Sequence, residues 1–140
     1  MKKPNSYDTL LTLPVNQLET SAMFGVMVAN SDLLNLSPDS LIGQVFMHFG
    51  QQMSDQGFIK GMGKGKITNT DKKGEATFEI PVWGVMVIAE AILTLGKVTD
   101  TLEHLHHMLL WDPFVQKANR IVEFGETEES ASAENFLSMN

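Results

Sequence analysis

Met23-Phe24-Gly25-Val26-Met27-Val28-Ala29 is a short, unbroken apolar run, closed by Asn30-Ser31-Asp32. A run of this length between turn formers predicts a buried strand. Taking it as the first strand decides how the rest of the chain is arranged. Ser37-Pro38-Asp39 follows as a helix start, with Ser37 as cap, Pro38 in the first turn and Asp39 at the positive end. Leu41, Ile42, Val45, Phe46, Phe49 and Met53 then recur at steps of three and four, which predicts an amphipathic helix that stops near Gly57. Gly57 to Lys66 carries four glycines and suits a twisted strand or a loop rather than a helix. Asn69 to Gly74 is a turn, and Ala76 to Ile80 a strand, with Pro81 marking an edge or a bulge.

Val82 to Leu95 is ambiguous: its first half, Val-Trp-Gly-Val-Met-Val-Ile, prefers strand, and its second half can be a helix. Gly96 ends it either way. Asp100-Thr-Leu-Glu103 resembles a capping box. Leu102, Leu105 and Leu109 give a helical stripe that runs to about Trp111. Asp112-Pro113 interrupts it, because a residue before proline avoids the helical region. A short helix over Pro113 to Ala118 and a last strand over Arg120 to Phe124 complete the order βαββαβ. That order predicts an α+β fold of the ferredoxin-like kind. Residues 1–19 are expected to form an arm, 20–125 a single domain, and 126–140 an acidic, disordered tail.

At 43% apolar and 19% charged residues over 140 positions, the chain has the composition of a globular domain that buries its own core. It has no cysteine, which excludes disulfides, zinc-thiolate sites and Cys nucleophiles. The net charge is −7, of which Glu126, Glu128, Glu129 and Glu134 supply four charges in the tail. Arg120 is the one arginine. Without a basic stripe or arginine forks, nucleic acid is not an expected partner. Lys2 and Lys3 are followed by Pro4, Asn5, Tyr7 and Asp8 instead of an apolar run, and Val82 to Leu95 is shorter than the roughly 20 residues of a membrane span. The expectation is a cytoplasmic protein with no membrane contact.

His104, His106 and His107, with Glu103 four residues before His107, place imidazoles and a carboxylate on one helix. The spacing is not His-Glu-x-x-His, and the plainer reading is a polar helix flank, so no metal and no cofactor are expected. His48 lies in a polar row with Gln44 and Gln52, where a histidine can serve as general base. Gly61-Met-Gly63-Lys64-Gly65-Lys66 can nest an anion on backbone N–H groups, but Lys64 is not followed by Ser or Thr as a P-loop requires. Gly61, Gly63 and Lys64 are the ligand-binding residues of that nest, and Trp83 is a fourth, in a pocket it would line with Met27, Phe78 and Met86.

Trp111-Asp112-Pro113-Phe114-Val115-Gln116-Lys117-Ala118 followed by Arg120-Ile121-Val122-Glu123-Phe124 resembles the end of the YCII-related family. His48, Gly57 and Gly61 to Gly63 are similar to its upstream part. The resemblance implies a dimeric α+β barrel and a catalytic pair, His48 poised by Asp112. The function that the resemblance implies is a small-molecule binder or YCII-like enzyme; small size, acidity, the acidic tail and the lack of motifs point instead to a non-catalytic protein–protein interaction module, such as an adaptor, an inhibitor or immunity-type protein, or a phage-type accessory factor. A homodimer is expected in either case, because the apolar segments exceed what one small sheet face covers.

Overall fold

The computed structural model describes residues 6–60, 68–72 and 74–125. The protein is mixed α+β. After a 3-10 turn at Ser6–Asp8 come β1 (Leu10–Asn16), α1 (Gln17–Ala29), α2 (Ser31–Leu34), α3 (Leu41–Asp55), β2 (Ile59–Lys60), β3 (Thr68–Asn69), β4 (Glu75–Pro81), α4 (Val82–Leu95) and α5 (Thr101–Phe124). The chain divides into two compact units, one formed by residues 1–11 with 81–140 and the other by 12–80.

This order is not βαββαβ, and two expected strands are helices. Residues 23–29 belong to α1. Asn16 caps that helix, its side-chain oxygen accepting from the N–H groups of Leu18 and Glu19 at 3.1 Å. The buried set Gln17, Thr20, Met23, Phe24 and Met27 is a helical stripe, and its first half lies upstream of the apolar run. Arg120–Phe124 completes α5, which ends at Gly125 in the left-handed conformation, φ 65°. A four-stranded ferredoxin-like sheet is therefore not found among the described residues. Residues 10–19, expected in an arm, form β1 and the start of α1.

β1 pairs with β4. Leu11, Leu13 and Val15 on one strand and Ala76, Phe78 and Ile80 on the other point into the core, alternating with exposed neighbours. The Val82 N–H donates to the Thr9 carbonyl at 2.9 Å, so the start of β1 lies beside the end of β4 and the strands run antiparallel. By alternation, the even residues of β1 and the odd residues of β4 turn their N–H and C=O groups away from the pair. Pro14 falls on the outer edge of β1, where its missing N–H costs nothing. The second pair, β2 with β3, is antiparallel and two residues long.

In the 12–80 unit, α3 carries the expected stripe, with Ile42, Val45, Phe49 and Met53 buried. The cap is Ser40 and not Ser37: the Ser40 hydroxyl accepts from the Gly43 N–H at 3.0 Å and donates to the Ser37 carbonyl at 2.8 Å. Phe24 stacks on Phe46, and Phe49 sets its edge against both Phe24 and Phe78, which ties α1, α3 and β4 together.

In the other unit, the ambiguous Val82–Leu95 is one helix. Val82, Val85, Ile88, Ile92 and Leu95 line its buried face, and Gly96 follows its end. α5 packs along α4. Asp100 caps α5, accepting from the Glu103 N–H at 2.8 Å. The helix passes through Asp112-Pro113 unbroken. Pro113 removes the partner of the Leu109 carbonyl, but Leu109 is 65% exposed, so water can take that carbonyl. No helix among the described residues is long and apolar enough to cross a membrane.

Candidate functional site

Each unit presents one surface feature with named chemistry. On the 12–80 unit, α3 lies against the edge of β4, and the open groove between them, about 490 Å3, is lined by His48, Gln52, Asp55, Gln56, Thr77 and Glu79. His48 is exposed, with its ring 6.5 Å from that of Phe78. The groups beside it are committed. The Gln52 amide donates to the Glu79 carbonyl at 2.8 Å and accepts from the Glu79 N–H at 2.6 Å. One turn on, the Gln56 amide donates to the Thr77 carbonyl at 2.6 Å and accepts from the Thr77 N–H at 2.8 Å. Asp55 accepts from Gln51 at 2.9 Å. The polar row that contains His48 is thus largely spent on holding the β4 backbone.

On the other unit, Ala89, Ile92, Leu93, Met108, Trp111, Asp112 and Val115 line an apolar cleft of about 160 Å3 between α4 and α5. Trp111 is its floor: it is 1% exposed, its indole N–H donates to the Val85 carbonyl at 3.0 Å, and its ring meets Phe114 edge-on at 4.9 Å. Asp112 stands at the rim and accepts from the Gln116 amide at 2.6 Å. The buried face of α5 is His107, Trp111, Ala118 and Ile121. The leucine stripe expected to be its core face points the other way: Leu102, Leu105 and Leu109 are 79%, 49% and 65% exposed. Two stripes compete on this helix, and the bulk of Trp111 decides which one is buried.

His48 belongs to the 12–80 unit and Asp112 to the other. Trp83 is half-buried on α4. Gly61, Gly63 and Lys64 lie outside the described residues, as does the acidic tail. Among the described residues, no three or more His, Asp and Glu side chains gather so as to hold a metal ion. The glutamine pair was missed as a pair. Its signal is present in the sequence as two glutamines four apart, but their partner strand lies more than 20 residues downstream.

The histidine cluster has a different consequence. The His104 ring lies over Gly96 so closely that a Cβ there would sit 2.7 Å from it. The Nδ1 atoms of His104 and His107 are buried without a hydrogen-bond partner among the described residues. His107 is 5% exposed. Burial pushes its pKa below the ordinary 6.5, assisted by the neighbouring His106 and His104 and opposed by the Glu103 carboxylate. A histidine with a lowered folded-state pKa folds neutral, whereas the unfolded chain takes up a proton near 6.5. Its contribution is therefore complete above about pH 6.5 and lost as the pH falls from there through the folded pKa. Melting temperatures from pH 8 to pH 5 should fall more steeply for the wild type than for His107→Gln. Parallel curves would mean that His107 does not couple folding to protons.

Compared with known proteins, the chain matches no family model, no curated sequence and no solved structure.

Proposed function

We propose that the chain is a protein–protein interaction module that receives a helix on the outer face of α5, and that the partner is α5 of a second copy. The observation behind this is the solvent-facing stripe Leu102, Leu105 and Leu109, opposite the buried stripe. Single exposed leucines are ordinary; an aligned set on one helix face is a docking surface. Met108 and Leu93, 39% and 61% exposed, lead from the stripe to the α4–α5 cleft. At about 160 Å3, that cleft falls below the roughly 300–1,000 Å3 of small-molecule pockets and suits a single apolar side chain. In an antiparallel pair centred between Leu105 and His106, Leu102 of one copy falls opposite Leu109 of the other, and the helix dipoles oppose favourably.

The rival reading, a YCII-like enzyme built on His48 and Asp112, has less behind it. Asp112 holds Gln116, and Gln52 beside His48 holds β4. Three leucines on one helix face are a small surface beside the roughly 800 Å2 per partner of a stable complex. The dimer should accordingly be weak and concentration-dependent. Sedimentation through the micromolar range should move the wild-type mass from 15.5 kDa toward twice that value. Leu105→Glu should remain at 15.5 kDa, with its stability changed by no more than about 0.5 kcal/mol, as for an ordinary surface site. A wild type that stays monomeric throughout that range overturns the proposal.

A further inference from the structure

His106 stands inside the leucine stripe of α5. It follows Leu102 by four residues and precedes Leu109 by three, so these three share a face. Leu105 and His106 then flank the line from Leu102 to Leu109, one on each side. His106 is exposed, as the leucines are, whereas the next residue, His107, is on the buried face. Any helix that covers Leu102, Leu105 and Leu109 therefore covers His106 as well, whatever its register. A second α5 does more. A two-fold axis through the seam keeps each residue on its own side of the seam in both copies. With the axis between Leu105 and His106, His106 meets the partner's His106, the two offset along the helices by about one residue rise, about 1.5 Å. Leu105 meets the partner's Leu105 on the other side.

We propose that His106 makes the association of α5 helices proton-dependent: the pair holds while both His106 side chains are neutral and separates when they take up protons. The inference rests on the α5 pairing proposed above and adds its regulation. A neutral imidazole can be covered by leucine side chains at modest cost, but a charged one loses its hydration, and two charged ones repel across the seam. Protons are thus bound by the separate copies in preference to the pair. The other titratable groups around His106 are Glu103 and His107 on α5 itself, and Tyr7, Asp8 and Glu90 on the Ser6–Asp8 turn and α4, which pack on α5. Of these side-chain types, only histidine ordinarily changes its charge between pH 8 and pH 5.5. His107, on the buried face, acts on folding, and His106, on the outer face, on association.

The test is sedimentation of the wild type, His106→Gln and His106→Lys at pH 8 and pH 5.5, with circular dichroism to show that each chain stays folded. Two histidines that must each be neutral, with an ordinary value of about 6.5, weaken a pair about a hundredfold over that span. The wild-type Kd should rise by that factor on acidification. His106→Gln has no group to titrate there, and its Kd should stay nearly constant. His106→Lys carries the charge throughout and should be monomeric at pH 8, at concentrations where the wild type pairs. This last comparison decides the matter if the wild type unfolds at pH 5.5. A wild type that is monomeric at pH 8 overturns the α5 pairing and this inference with it. A wild type that pairs equally well at both pH values overturns the proton dependence and leaves the pairing standing. A His106→Gln chain as pH-sensitive as the wild type, or a His106→Lys chain that pairs as the wild type does, overturns the role of His106.

Discussion

Replacing Trp111 by alanine should lower the stability of the protein by about 3–5 kcal/mol, the usual cost of emptying a large aromatic site. For a chain of this length that corresponds to a fall in melting temperature of roughly 10–15 °C. Three contributions are lost together. The indole is almost fully buried in the α4–α5 packing, it meets Phe114 edge-on, and its N–H satisfies the Val85 carbonyl. Trp111→Phe separates them. It keeps an aromatic ring beside Phe114 and removes the N–H, and should cost about 1–2 kcal/mol, a hydrogen bond plus a small void. Trp83, half-buried on α4, is the control, and its alanine variant should lose clearly less. Equal losses at the two tryptophans would mean that Trp111 does not organise the helix pair. The same variant reports on the binding surface, because Trp111 is the floor of the apolar cleft.

The elements legible in the sequence are those whose own residues settle the matter. α3 shows a clean stripe and a nearby stop, β4 alternates over seven residues, and Asp100 with Glu103 marks the start of α5. The elements misread are those decided from elsewhere. The apolar run at 23–29 has no period of its own, and a helix or a strand can carry it. Its helical stripe becomes visible only when Gln17 and Thr20, polar yet buried, are counted as core. β1 does alternate, but Pro14 within it argues against a strand until the outer edge of the sheet is known. Asp112-Pro113 stops a helix by local preference; packing of α5 along α4 outweighs it, and the carbonyl left without a partner belongs to the exposed Leu109. The candidate surfaces were legible in the same partial way. The leucine stripe is plain at 102, 105 and 109, but its direction depends on Trp111, which sits on the opposite face. The glutamine pair depends on a register between a helix and a distant strand, which no local pattern encodes.

Gly43→Ala should be destabilising by about 2–4 kcal/mol, although helix propensity alone predicts a gain of about 1 kcal/mol from the same change. Gly43 is buried in the first turn of α3, and a Cβ there would overlap the backbone carbonyl of Ser37. That carbonyl cannot swing aside as a side chain would. The turn from Ser37 to Ser40 is fastened by the Ser40 hydroxyl, which accepts from the Ser37 and Gly43 N–H groups and donates to the Ser37 carbonyl. Making room for a methyl group therefore opens the turn and loses the cap, worth about 0.5–2 kcal/mol, on top of about 1–3 kcal/mol of overpacking. Gly25 supplies the opposite case. It lies within α1, is exposed, and has nothing within 4 Å of an added Cβ. Gly25→Ala should stabilise by about 0.8–1 kcal/mol. Thermal melts of the two variants should move in opposite directions from the wild type. If Gly43→Ala also rises, the close approach of Ser37 does not exist in solution, and the start of α3 is looser than its hydrogen bonds require.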